Sequence, residues 1–384
     1  MAAPLLDRVD AARSSAAARE VHDTRTASVL GVGLGLSFGV CLLTGIYSHL
    51  LQQPPSWFTP PTGPAGLYRF TQGLHVISGL ASIPLLLAKL FAVSPQLWRR
   101  PPVRSAVDAM ERLGLLPLVG GSLFLLVTGA ANIAHWYPWQ FFFPVGHWWA
   151  AWLVVGAMLI HVALKLPTVR ESLGRGAAVP VGGTEPDGGL TRRGLLLTVA
   201  GAAGLLTLVT AGQTVPFLRR ATLLAPRRPD IGPQGLPVNR TAQAAGTTTL
   251  GRDPDYRLVV AAGGSERSFS VDDLRALPQQ SAGLPIACVE GWSASATWRG
   301  VSVRDVLAAA GLGPGAVTVG SAQRSGLYAS SELTSDAVAG AGCLLALEVN
   351  GEPLAPDHGA PLRLIAPNRP GVLQTKWVNR LEVR

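Results

Sequence analysis

Five long runs of apolar residues, at roughly 27–50, 70–90, 113–134, 147–165 and 194–217, dominate the first half of the chain and carry almost no charge. Each approaches or exceeds the roughly 20 residues that a helix needs to cross a hydrocarbon core of about 30 Å, so the pattern predicts five membrane spans. Lys and Arg number four before residue 26, one in 52–69, four in 94–112, none in 135–146 and five in 165–193. Positive charge accumulates on the cytoplasmic side, which places the amino terminus there and, after five crossings, the carboxyl-terminal part outside. Beyond residue 235 the pattern changes. Short apolar segments at 256–261, 284–289, 315–320, 343–349 and 361–366 predict strands alternating with short helices. Ser270-Val-Asp-Asp273 fits a helix start and Asn350-Gly351 a tight hairpin turn. The organisation expected is a cytoplasmic tail 1–26, a four-span membrane domain 27–170, a cytoplasmic linker 171–193, a fifth transmembrane helix 194–217, an extended Pro- and Arg-rich tether 218–235 and an exported domain 236–384. The fold class is thus an all-α membrane four-helix bundle with a fifth anchor, followed by one α+β domain.

Composition sharpens this. A chain of 384 residues with 48% hydrophobic and 14% charged residues is too apolar for an ordinary soluble protein. The net charge of +9 lies in short clusters beside the apolar runs, not interleaved with aromatics along a soluble face, so it reads as membrane topology and not as a nucleic-acid footprint. Cys41, Cys288 and Cys343 are too few for a disulfide framework, although a Cys288–Cys343 bridge remains an alternative in an exported domain. The first 25 residues are polar and hold no short apolar core of a cleavable signal. Thr191-Arg192-Arg193-Gly194, just ahead of the fifth run, reads either as an internal twin-arginine export motif or as a plain positive-inside anchor. The aromatic run from Trp136 to Phe143, with Trp148 and Trp149, reads as an interfacial belt, with a quinone pocket or a docking surface for the exported domain as the alternatives.

Histidines add chemistry to the spans. His147 and His161 are 14 residues apart on the fourth run, close to four helical turns, so they share one face about 21 Å apart in height. His75, near the outer end of the second run, is level with His147. His22, just before the first run, is the nearest partner in height for His161. His49 is a reserve ligand, and His49 and His135 also suit a membrane interface. A b-type haem takes two axial imidazoles from facing helices, so two levels of histidine predict one or two haems. The pattern over roughly residues 15–170 is similar to the dihaem cytochrome b subunits of membrane-bound hydrogenases and formate dehydrogenases. That resemblance implies electron exchange with a quinone or quinol pool or with a cytoplasmic donor.

In the water-soluble part, Cys288 stands in Ile286-Ala-Cys-Val-Glu-Gly-Trp292-Ser293, ten residues before Trp298-Arg299-Gly300. A thiolate is a soft metal ligand when fixed on a rigid element. With Leu236-Pro-Val-Asn-Arg-Thr-Ala242 upstream and His358-Gly-Ala-Pro-Leu-Arg363 downstream, the region resembles the molybdopterin-binding domain of the sulfite oxidase family, including its bacterial periplasmic reductase branch. The resemblance implies that Cys288 is the catalytic thiolate on molybdenum. It assigns the pterin to Asn239, Ala242, Gln243, Ser321, His358, Arg363, Gln374, Thr375 and Lys376. Arg363 suits a phosphate as a planar fork and Lys376 as a point charge. Trp292 and Trp298 are expected in the core. A pterin inserted in the cytoplasm requires export of a folded domain, which favours the twin-arginine reading.

The sequence has Cys-Val-Glu-Gly-Trp where eukaryotic sulfite oxidases have a cysteine followed by Ala-Gly-Asn-Arg, and nothing matches their sulfite-binding arginine, for which Arg299 and Arg324 are the candidates. Sulfite and S- or N-oxides, small or protein-bound, therefore both stay open as substrates. The expectation is a molybdoenzyme of the bacterial cell membrane, in contact with lipid, fused to its own haem conduit. One alternative is a transmembrane haem electron-transfer protein whose exported domain is a cofactor-free binding or sensing module. Another is a five-span protein without haem, served by a separate soluble cytochrome.

Overall fold

The computed structural model describes residues 21–97, 105–174, 190–211, 216–225, 231–324, 326 and 328–384. The tail before Val21, most of the 171–193 linker and residues 226–230 of the tether lie outside them. The chain divides into two compact units, Met1–Leu43 with His75–Thr210, and Thr44–Leu74 with Ala211–Arg384.

The predicted spans form helices α1 (Thr24–Gln52), α2 (Leu67–Leu97), α3 (Ala106–Leu115), α4 (Gly121–Ile133), α5 (Phe143–Leu173) and α6 (Arg192–Ala211). A π-helical turn, Leu116–Gly120, joins α3 to α4. Pro117 lies in that turn and lacks the N–H that a regular turn would use, which accounts for the widening. Five of these rods are long and apolar enough to cross a membrane, counting α3 and α4 as one. Several helices run past the apolar stretches because only the part facing hydrocarbon must be apolar, whereas α6 is followed to Ala211 and a 3₁₀ turn then occupies Pro216–Ala221. Leu36, Leu159, Ile160 and Leu197 are exposed on the outside of the first unit, as hydrocarbon contact requires. The interior is partly polar. Ser37 Oγ donates to Ser78 O (2.7 Å) and Ser82 Oγ to Ser37 Oγ (3.0 Å), tying α1 to α2 through small residues. Arg192, at the start of α6, pairs with Asp23 and donates from Nε to Thr26 Oγ1 at 3.1 Å, so one arginine of the paired motif also fastens two helices.

The second unit contains strands β1 (Leu258–Ala262), β2 (Ser265–Phe269), β3 (Gln279–Ala287), β4 (Ser293–Ser302), β5 (Val317–Ser321), β6 (Ser330–Leu333), β7 (Leu344–Val349), β8 (Glu352–Pro353), β9 (Arg363–Ile365) and β10 (Val378–Val383). One sheet has the order β2-β1-β10-β5-β6, in which β1 and β10 run parallel; the other has the order β3-β4-β7-β8, with β9 also on β7. Ser270 caps the helix Val271–Ala276 in a reciprocal capping box with Asp273, as the sequence predicts. Asn350 and Gly351, with φ of +53° and +85°, turn β7 into β8, also as predicted.

Two expectations are corrected. Strands outnumber the five apolar segments, because β2 buries only Phe269 and β4 alternates buried and exposed positions along its middle with mostly small residues, so neither leaves a continuous apolar run. The tether is not uniformly extended, since Pro233–Gly235 forms a turn. Gln234 Nε2 donates to Pro353 O at 2.8 Å and its Oε1 accepts from Ala355 N at 2.9 Å, so the domain is already anchored there. No disulfide joins Cys288 to Cys343, which removes that alternative.

The core has two main parts. Leu258, Val301, Val319, Leu345 and Leu381 belong to one cluster, and Ile286, Cys288, Trp292 and Trp298 to the other. Between β4 and β7 the register shifts at Arg299/Gly300, where a Cβ on Gly300 would stand 2.1 Å from Leu345 O. Backbone cannot yield there as a flexible side chain would. Gly300→Ala is therefore expected to destabilise the second unit by about 1–3 kcal/mol, the usual range for overpacking, visible as a lower thermal unfolding midpoint than that of a Gly313→Ala control, a site where a Cβ meets nothing.

Candidate functional site

The site begins with a hairpin. Strands β3 and β4 pair antiparallel from Gln279↔Val301 to Ala287↔Ser293, and Cys288 follows the last pair. Cys288 N donates to Trp292 O (2.9 Å) and Gly291 N to Cys288 O (3.1 Å), closing a tight turn with the sulfur at its base. Cys288 is 2% exposed. Behind it, Gly371 approaches so closely that a Cβ would lie 2.9 Å from Ala287 O. The turn is therefore pinned from its own strand pair and from the 371 segment.

Cys288, Asn239, Arg363 and Lys376 line one small cleft together with Pro237, Ile286, Trp292 and Gly371. Arg363, the first residue of β9, is 3% exposed; its Nη1 donates to His358 O at 3.2 Å and its guanidinium lies 5.2 Å from the centre of the Trp298 ring. Its Nε is buried without a hydrogen-bond partner among the described residues. Burial pulls this guanidinium down to about 9, and no carboxylate acts on it among the described residues. Such a group is suited to receive an anion. Lys376 Nζ donates to Arg240 O (2.9 Å) and Asp357 O (2.8 Å), and sits 5.3 Å from the Trp377 ring centre. Asn239 Oδ1 accepts from Arg240 N at 2.9 Å.

The other predicted residues stand around the cleft and not on its lining. Ser321 Oγ donates to Lys376 O (2.7 Å) and thus steadies the lysine backbone. Thr375 shares a 2.7 Å hydroxyl bond with Ser331, and Gln374 is buried with its amide on Arg369 O at 3.3 Å and its Oε1 unpartnered. Ala242 N donates to Asp357 Oδ1 (2.7 Å), whereas Gln243 is exposed. The ring of His358 is used elsewhere: its Nε2 lies 2.7 Å from Pro233 O, tying the start of the domain to the carbonyl that holds Arg363. Trp298 is fully buried, as expected, while Trp292 is buried and lines the cleft as well. Neither candidate sulfite arginine is on the lining. Arg299 pairs across strands with Glu348 at 2.9 Å, and Arg324 is exposed beside Gly246.

Sequence reasoning missed Asp357, whose carboxylate and carbonyl hold Ala242 and Lys376. It also missed Tyr328, a half-buried phenol that burial and the neighbouring Cys288 push upward. Tyr328 lies 40 residues from the cysteine, and only folding of the β5–β6 connection brings it near.

In the first unit, the His75 and His147 rings stand 6.3 Å apart, centre to centre, at 64°. His75 Nδ1 lies 3.0 Å from Cys41 O and His147 Nδ1 3.4 Å from Thr128 Oγ1, so an oxygen orients each ring. His22 Nδ1 lies 3.1 Å from Ala92 O and its ring packs on Phe91. No ring contact between His22 and His161 is found among the described residues.

Residues 245–384 match the family described as the oxidoreductase molybdopterin binding domain. This part of the chain is accordingly an oxidoreductase domain of the molybdopterin-binding class. Among curated relatives, it is similar to mitochondrial sulfite oxidase of Macaca fascicularis, 31% identical over 166 residues that cover 34% of this chain and 30% of that protein. Similarity extends to nitrate reductase [NADH] 2 of Phaseolus vulgaris, 38% identical over 104 residues, which are 24% of this chain and 12% of the other. The oxidoreductase YuiH of Bacillus subtilis is 33% identical over 115 residues, covering 30% of this chain and 57% of that one. The chain thus spans under a third of the length of the sulfite oxidases that it matches.

Burial, and then the Arg363 charge, pull the His358 imidazole down to about 4 from an ordinary 6.5. Because the folded value lies below the unfolded one, the stabilisation is complete above about pH 6.5 and is lost as pH falls towards 4. Urea unfolding of the protein is expected to show this loss in the second unit, and His358→Gln to flatten it.

Proposed function

We propose that the chain is a membrane-bound oxidoreductase for oxygen-atom transfer, whose Cys288 cleft would hold a molybdenum–molybdopterin cofactor and whose first unit would exchange electrons through b-type haem. The observation that carries the reading is the cleft itself, which gathers a buried thiol, an amide and two cations. In it Arg363 has a buried Nε without a partner and no carboxylate acting on its charge. Cys288 would supply the protein thiolate, Arg363 and Lys376 would hold the phosphate end of the pterin, and Asn239 would meet its ring edge. Ala242, Gln243, Ser321, His358, Gln374 and Thr375 would complete or support the pocket, with Ser321 acting through Lys376 and His358 through Arg363. When bound, the cofactor supplies the two-electron oxygen-atom chemistry. The chain's part is to fix the sulfur, exclude water with Trp292 and Ile286, and neutralise the phosphate.

For haem, the support is the His75–His147 pair. The two rings stand 6.3 Å apart on separate helices, and His75 and His147 would be the residues that hold the haem iron. His22 and His161 would hold a second haem nearer the cytoplasm, and the donor or acceptor would be a quinone pool or a cytoplasmic protein. The substrate would be an S- or N-oxide or sulfite. With Arg299 committed to Glu348, oxyanion binding would fall to the cleft's own cations. The domain would lie outside the bacterial cell membrane, exported through the twin-arginine motif.

Metal analysis of the detergent-purified protein tests this. About one molybdenum and two irons per chain are expected; Cys288→Ser should lower oxide-reducing turnover by at least about a thousandfold, as loss of a cofactor-ligating nucleophile does, while leaving the haem spectrum intact. His147→Ala should remove one iron and retain molybdenum. Iron without molybdenum from cofactor-competent cells would overturn the enzyme reading and leave a transmembrane electron-transfer protein.

A further inference from the structure

The second unit includes the segment Thr44–Leu74, far from the molybdopterin-binding domain in sequence, and that segment reaches the turn that carries Cys288. Tyr68, 1% exposed, clusters with Leu51 and Ala287, the residue immediately before the cysteine. Its hydroxyl lies 3.4 Å from Ser48 Oγ. One helical turn later, the Gln72 amide donates at 3.4 Å to the carbonyl of Val289, the residue that follows the cysteine. The residues on either side of Cys288 are thus each met by a side chain of one helix, Ala287 through packing and Val289 through a hydrogen bond.

Asn368 locks the segment in place. Its Oδ1 accepts from Tyr68 N (2.8 Å), its Nδ2 donates to Tyr47 OH (2.9 Å) and to Pro61 O (2.7 Å), and its own N donates to Ala65 O (3.1 Å). Asn368 is 4% exposed, so these bonds are made away from water, where each unmet partner would be costly. Arg69 adds a bond from Nη1 to Ser295 Oγ at 2.9 Å on β4.

We propose that Tyr68 and Gln72 are positioning residues for the Cys288 turn: they hold the residues on either side of the cysteine, Ala287 and Val289, and so set the direction of the sulfur into the cleft. The proposal deepens, and rests on, the reading of Cys288 as the metal-bound thiolate. A ligand held this way keeps its geometry through a reaction cycle because its supports are themselves locked.

The test uses the full-length chain in detergent, with Tyr68→Phe and Gln72→Met, prepared without cofactor from cells that cannot make molybdopterin. N-ethylmaleimide labelling of Cys288 and Cys343 is followed by peptide mass spectrometry. Each variant is expected to speed labelling of Cys288 about fivefold, the factor one net hydrogen bond contributes to a local opening. Cys343, 1% exposed in the other core cluster, serves as the control and should keep its rate. In loaded protein, Gln72→Met should shift the g-values of the Mo(V) signal at unchanged molybdenum content. Equal acceleration at both cysteines, or none at Cys288, would overturn the proposal. Selective acceleration in a protein whose wild type binds no molybdenum would uphold the positioning and remove the molybdenum reading.

Discussion

A guanidinium buried with no carboxylate on it among the described residues is the constraint around which the second unit is arranged. Taking such a charge from water costs several kcal/mol unless something nearby answers it. Arg363 is answered in part by the Trp298 face and by one carbonyl, His358 O, and the ring of that same His358 is fastened to Pro233. These contacts link β9, β4 and the start of the domain, and they leave an electropositive opening beside the Cys288 sulfur. Lys376 adds a second positive charge whose direction is set by two carbonyls and, through Ser321, by its own backbone. Removing the charge would relax the fold at the expense of any affinity for an anion, the usual tension where a binding site is built into a core.

Much of this was legible in the sequence. The five apolar runs announce the helices because hydrocarbon imposes a length and forbids charge, two conditions that leave an unmistakable record. Cys288, Asn239, Arg363 and Lys376 were singled out from separated motifs, and folding brings all four to one cleft. Ser321 and His358 were also singled out, yet they act at one remove: an imidazole that holds a carbonyl and an imidazole that lines a pocket look alike in a sequence. Strand β4 was hidden because its inward positions are Ala294, Ala296 and Trp298, too small or too isolated to make an apolar run. Tyr328 and Asp357 were invisible because their roles exist only through long-range proximity, which no local periodicity encodes.

The first unit follows a different rule. Its outside is apolar, so specificity between helices comes from small hydroxyl side chains and from ionisable groups turned inward. Ser37, Ser78 and Ser82 form one such seam and Arg192 with Asp23 another. His75 and His147 fit the same logic, since each ring has an oxygen holding one nitrogen, an arrangement that fixes ring orientation before any ligand arrives.

Asn368 has a further meaning for how the chain comes together in time. Its partner Tyr68 lies 300 residues earlier, so the contact closes almost the whole polypeptide into one loop. Contacts of such separation form late, after the entropy of closure has been met by more local pairing. The two sheets can be complete while Tyr47, Pro61, Ala65 and Tyr68 still wait for the asparagine. Seating of the 44–74 segment against Asn368 is thus expected among the last contacts to form as the chain folds, after the sheets that it joins.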